Sequence, residues 1–184
     1  MSIFFQIKKH LKFNLEKGKF TSFLLLYLLT HNIYFQKQCN YYIKMLNVRY
    51  KILPQYNLII EFFSGEITLD AILSAKKSKN SMPEFDPTFN HLIDLRHAKT
   101  NISLSEIKEI AKFQEENKQY IKKRKSAFLA DSPEQTSLTI LFTLSMQNLP
   151  IDFEIFSTTK AALNWLDLWY LSERDYEKFI AELI

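Results

Sequence analysis

The sequence predicts an α/β fold: a mixed sheet of four to five strands, opened by an N-terminal hairpin and flanked by helices. Three observations carry that reading. Two strand-like runs, Val48–Leu53 and residues 58–63, are separated by the turn Pro54-Gln-Tyr-Asn57. From Thr68 onward, amphipathic helical patterns alternate with short apolar runs, the order that produces crossover connections and parallel strands. Glycine is nearly absent, with only Gly18 and Gly65 in 184 residues, which excludes glycine-rich phosphate loops and dinucleotide fingerprints.

Each element has its own signal. Gly65 is expected to end the second strand. Thr68 caps a helix over 69–79, whose Leu69, Ile72 and Leu73 share a face. Residues 82–90, with Pro83 and Pro87, form a loop, and 91–95 form a buried strand. Ser103 and Glu106 fit a capping box that opens a helix over 103–117, with Ile107, Ile110 and Ala111 inward. Residues 126–130 are the next strand. Asp131-Ser132 then precedes Pro133 at the first position of a third helix, 133–147. Ile151–Phe156 is the last strand. Thr158 starts a helix reaching Trp169, with Ala162, Trp165, Leu166 and Trp169 on one stripe. Ser172 caps a short final helix with Tyr176, Phe179, Ile180 and Leu183 inward.

A seam near Met45 divides the chain into an atypical extension, 1–44, and a domain, 45–184. The extension holds Lys8, Lys9, Lys12, Lys17, Lys19, Lys37 and Lys44 against a single acid, Glu16, which leaves a net of −2 for the domain. An apolar run over 20–35 follows the basic cluster but is interrupted by Thr30, His31 and Asn32, and no small-residue cleavage site follows it. Three readings stay open: a weak membrane or signal element, an extra helix, or upstream sequence ahead of a domain that starts at Met45. The expected location is cytoplasmic, with membrane contact only if residues 1–44 are genuine. The mildly acidic domain argues against nucleic acid, which wants a basic stripe on the domain itself. Cys39 is the only cysteine, so a single chain cannot build an internal disulfide or a cysteine-ligated metal site. Hydrophobic residues at 47% and charged residues at 24% argue against disorder.

Three stretches, His91-Leu-Ile-Asp-Leu-Arg-His97, Ala127-Phe-Leu-Ala-Asp-Ser-Pro133 and Phe156-Ser-Thr-Thr-Lys-Ala-Ala-Leu-Asn-Trp-Leu166, resemble the bacterial SpoIIAA-like branch of the STAS superfamily. The likeness covers about residues 46–170. It implies a four- or five-stranded mixed sheet flanked by helices. Some relatives are phosphorylation-switched regulators that bind a protein, and others resemble CRAL-TRIO domains that hold lipids. The regulators carry an Asp-Ser-Ser-Gly-like motif where this chain has Ile102-Ser-Leu-Ser105, without the acid or the glycine. Ser103 falls where the phosphorylated serine would be. Its plainer role is the helix cap.

Candidate site residues fall in two groups. Asp94, Arg96, His97, Asp131 and Ser132 sit at the C-terminal ends of predicted parallel strands, where open α/β sheets bind ligands. Their plainer reading is an Asp94–Arg96 ion pair and an Asp131-Ser132 helix cap. The third helix is apolar nearly all round: Leu138, Ile140, Leu141, Phe142, Leu144 and Met146 leave little polar face. Its plainer reading is burial beneath the C-terminal helix. Its alternative is a surface for a partner protein, a second copy or an apolar small molecule, with Leu138, Leu141, Phe142 and Ser145 inward and Ile140, Leu144 and Gln147 outward. The basic cluster Lys118, Lys122, Lys123, Arg124 and Lys125 offers contact with phosphate or an anionic membrane surface; its plainer reading is cations at a helix C-terminus. No nucleophile–base–orienter set and no metal-ligand spacing is present in the sequence. The sequence therefore points to a non-enzymatic regulatory or protein-interaction module without cofactor or metal, with an apolar, lipid-type ligand-binding protein as the alternative.

Overall fold

The computed structural model describes residues 47–183. The expectations for residues 1–44, including Cys39 and the seam at Met45, lie outside the described residues. Strand β1 (Val48–Leu53) runs antiparallel to β2 (Leu58–Ile67), with Val48 opposite Phe63 and Leu53 opposite Leu58. The hairpin closes as the sequence predicts. Pro54 starts a single 3-10 turn, and Asn57 takes the left-handed conformation at φ 49°. Strands β3 (Asn90–Thr100), β4 (Arg124–Leu129) and β5 (Ile151–Phe156) then add in parallel, giving a five-stranded mixed sheet in the order β1-β2-β3-β4-β5.

Five helices connect and follow the strands: α1 (Leu69–Asn80), α2 (Leu104–Glu116), α3 (Pro133–Ser145), α4 (Thr159–Trp165) and α5 (Glu173–Ala181). All five open on a side-chain cap, from Thr68, Ser103, Ser132, Thr158 and Ser172 respectively. Each hydroxyl accepts a backbone N–H that would otherwise lack a partner in the first turn.

Strand alternation sends side chains to two separate cores. Leu58, Ile60, Phe62, Leu92, Ala127 and Leu129 meet Ala162, Leu163, Tyr176 and Ile180 of α4 and α5. On the other face, Phe63, Ile93 and Phe128 meet Ile72 and Ala75 of α1 and Ile110 of α2, with Phe142 of α3 packed against the same core. Helices therefore cover both faces, which is why the central strands read as continuous apolar runs.

Four expectations are corrected. Gly65 does not end β2; the strand passes through it at φ 68° and continues to Ile67. Helix α4 stops at Trp165, because Asp167 adopts a left-handed φ of 64° and Leu168 turns back to donate to the Leu163 carbonyl. Trp169 consequently leaves the expected stripe and is 69% exposed. Helix α3 lies on the opposite face of the sheet from α5, so it is not buried beneath the C-terminal helix. Arg124 and Lys125 belong to β4, beyond the end of α2, and are not helix C-terminal cations.

Candidate functional site

The crevice at the C-terminal ends of the strands begins with an irregularity in the sheet. Between β2 and β3 the ladder pairs Phe62 with Asp94 and then Ser64 with His97, so β3 carries one extra residue. A regular strand would turn Arg96 and His97 to opposite faces. The bulge lets both line the same cavity, beside Asp94 two residues earlier. The cavity measures about 490 Å³. Phe62, Asp94, Thr159 and Tyr176 form its buried lining, and His97, Asp131, Glu173 and Glu177 its exposed rim.

Asp94 is 1% exposed and its carboxylate is saturated. Oδ1 accepts from the Arg96 backbone N–H and from Arg96 Nε, each at 3.0 Å. Oδ2 accepts from Arg96 Nη2 at 2.7 Å and from the Tyr176 hydroxyl at 2.6 Å. Burial pushes the Asp94 carboxyl up, but the bonds from Arg96 and Tyr176 and the Arg96 charge outweigh it, and the net direction is down. The bond to Asp94 raises Arg96 further above its usual range. Burial, with the Asp94 charge beside it, raises the Tyr176 phenol. The guanidinium also lies 5.9 Å from the Tyr176 ring centroid.

The predicted site residues divide accordingly. Asp94, Arg96, His97 and Asp131 do come together at the crevice, and Asp94 and Arg96 also form the expected ion pair. Ser132 does not line the crevice. It caps α3, accepting from Gln135 N–H at 3.2 Å. Gln135 in turn donates to the Leu95 and Ala98 carbonyls and fixes α3 against β3. Sequence reasoning missed Tyr176, Glu173 and Glu177. The helical spacing assigns Tyr176 only to the apolar face of its helix; its hydroxyl is the signal that points further, since a buried phenol needs a polar partner.

Ser103 is a cap. Its hydroxyl accepts from Glu106 N–H at 3.3 Å and its backbone N–H donates to Glu106 Oε2 at 2.8 Å, completing the capping box, and the hydroxyl also donates to Oε2 at 2.6 Å. In the basic cluster, Lys125 pairs with Asp167 at 2.6 Å and donates to the Trp165 carbonyl, while Arg124 turns inward. Among the described residues, no group of three His, Cys, Asp or Glu side chains is placed to share a metal ion, and no helix is long and apolar enough to cross a membrane.

The helix residues form a second location. Phe142 packs on Phe128 and Phe153, with ring centroids at 5.8 and 6.4 Å, and Leu138 is half-buried. Ile140, Leu141 and Leu144 are 46%, 42% and 59% exposed. Leu141 was expected inward; it faces solvent because Gln135, Thr139 and Met146 hold the inner stripe of this segment.

No family model and no curated protein matches the chain. A solved structure of an uncharacterised protein of the DUF3478 family with a SpoIIAA-like fold, from Shewanella loihica PV-4, is similar to it. The identity is 17%, over 65% of this chain and 91% of that one, with a TM-score of 0.46.

Proposed function

We propose that residues 47–183 form a non-enzymatic protein-interaction module of STAS type that pairs with a second copy of itself through α3. One observation carries this reading. Ile140, Leu141 and Leu144 form a continuous apolar strip on the outer side of α3, each more than two-fifths exposed. Glu134 is the only charged residue in the helix, so two such strips meet without like-charge repulsion. A two-fold pairing of one strip on its copy is the commonest form of self-association.

The crevice supports the non-enzymatic part. Asp94 is held ionised and Tyr176 protonated, each far from the value that proton transfer near neutral pH requires. His97 packs against Phe62 with ring centroids 5.5 Å apart and has no side-chain hydrogen-bond partner among the described residues to orient it as a base. An apolar-ligand carrier draws less support. The crevice rim is polar, with His97 beside the carboxylates of Asp131, Glu173 and Glu177, and Phe142 packs against Phe128 and Phe153.

Native mass spectrometry of the full chain tests the reading. A dimer is expected for the native sequence and a monomer for Leu144→Glu. A native chain that flies as a monomer carrying a bound apolar molecule would replace this reading with the carrier.

A further inference from the structure

On the α1 side of the sheet, away from the crevice, Glu61, Lys79 and His91 meet, with Lys76 and Arg124 near enough for their charges to act on the one carboxylate. Glu61 of β2 uses a single oxygen to accept from Lys79 Nζ at 2.5 Å and from His91 Nδ1 at 2.8 Å. Lys76 of α1 and Arg124 at the start of β4 act on the same carboxylate through their charges. Glu61, Lys79, His91 and Arg124 are between 3% and 7% exposed, and Lys76 is half-buried.

The charges do not balance. Lys76, Lys79 and Arg124 share Glu61, and His91 is neutral, because burial and the charges of Lys79 and Arg124 outweigh the carboxylate beside it. Arg124 Nη1 donates to the Pro87 carbonyl at 3.1 Å, but its Nε–H is buried with nothing to meet. His91 spends its Nδ1 proton on Glu61, which leaves Nε2 as a buried lone pair, also without a partner. The two orphans sit on one face of adjacent strands: His91 pairs with Ser126, two residues after Arg124. A buried guanidinium that no carboxylate bonds, next to an unfilled acceptor, is a costly arrangement.

We propose that this cluster binds a protonated phosphate group. Arg124 and Lys76 donate to its oxygens, and its O–H donates to His91 Nε2. Such a group supplies the missing negative charge, an acceptor for the Arg124 N–H and a donor for the imidazole at once. Chloride and sulfate offer the charge and the acceptor but carry no proton at neutral pH. The site is independent of the α3 strip.

Thermal melts of the full chain at pH 7 test this, in inorganic phosphate, sulfate and chloride at equal ionic strength. Phosphate and sulfate both strengthen folding by exclusion from the surface, so their difference is the informative quantity. A saturable rise of about 4 °C or more in phosphate over sulfate is expected. Lys76→Gln, at a half-buried position, is expected to fold normally and to bind phosphate about tenfold more weakly or worse in calorimetry. Arg124→Gln is expected to abolish the difference between the two anions. Equal melts in phosphate and sulfate, or a phosphate affinity unchanged in Lys76→Gln, would overturn the proposal.

Discussion

The Tyr176 hydroxyl donates a 2.6 Å hydrogen bond to Asp94, across 82 residues of sequence, and so ties the last helix to the central strand. The bond joins two buried groups, and it is the one Asp94 carboxylate bond that does not come from Arg96. Tyr176→Phe is expected to cost about 1–3 kcal/mol, because it leaves a buried carboxylate one donor short. The folded pKa of Asp94 lies below its unfolded value, so its stabilisation is present above the unfolded value of about 4 and is lost as pH falls. With one bond fewer, the shift is smaller and so is the acid loss. Urea melts of both chains at pH 7 and pH 3 check the two statements together.

The Glu61 cluster predicts a separate pH response. Burial raises the Glu61 carboxyl, but Lys79, Lys76 and the His91 hydrogen bond bring it well below its ordinary value. Its stabilisation is therefore complete above its unfolded pKa, near 4.5, and falls away at lower pH. His91 is also held well below its ordinary value, so the unfolded chain takes up a proton first as pH falls through about 6.5. Stability is expected to decline from about pH 6.5 and to steepen below about pH 4.5. Glu61→Gln is expected to make the steeper limb shallower, leaving the part that Asp94 contributes. At pH 7 the same change should cost about 3–5 kcal/mol, since Lys79 loses its buried partner. Chemical denaturation along a pH series measures both effects.

Ser103→Ala is expected to cost about 1 kcal/mol, the usual value of an N-cap. Aspartate is a good cap on its own, but here it would set a second carboxylate against Glu106 Oε2, which now accepts the Ser103 hydroxyl at 2.6 Å. Ser103→Asp is thus expected to destabilise as well, and Glu106→Gln in the same chain to relieve it. Thermal melts of the single and double variants decide. A stable Ser103→Asp chain with Glu106 intact would show that the hydroxyl bond to Glu106 contributes nothing.

The architecture was legible in the sequence because it rests on local signals. Thr68, Ser103, Ser132, Thr158 and Ser172 each announced a helix, and each caps one. The site was legible only in outline. Asp94, Arg96, His97 and Asp131 were found from their place at strand ends, but the bulge that sets His97 and Arg96 on one side leaves no mark in a strand-like run. Tyr176 reaches the crevice from a helix far along the chain, a contact that no local pattern encodes. Glu61 did leave a mark: it interrupts the apolar run of β2, and Ile72, Ala75 and Lys79 share the inner stripe of α1. Leu141 was misplaced because an almost wholly apolar helix offers no polar stripe to fix its rotation. The inner stripe went instead to Gln135 and Thr139, whose side chains bond the β3 carbonyls and the α3 backbone.

The most direct test of the interaction surface is analytical ultracentrifugation of the native chain beside Ile140→Glu, Leu141→Glu, Leu144→Glu and Leu104→Glu. The last alters an apolar residue that is 60% exposed at the start of α2, on a different helix from the strip. All four variants should keep the native circular dichroism. The account predicts a dimer for the native chain and for Leu104→Glu, and a monomer for the three α3 variants. A native chain that sediments as a monomer, or a dimer that survives all three charges on the strip, would contradict it.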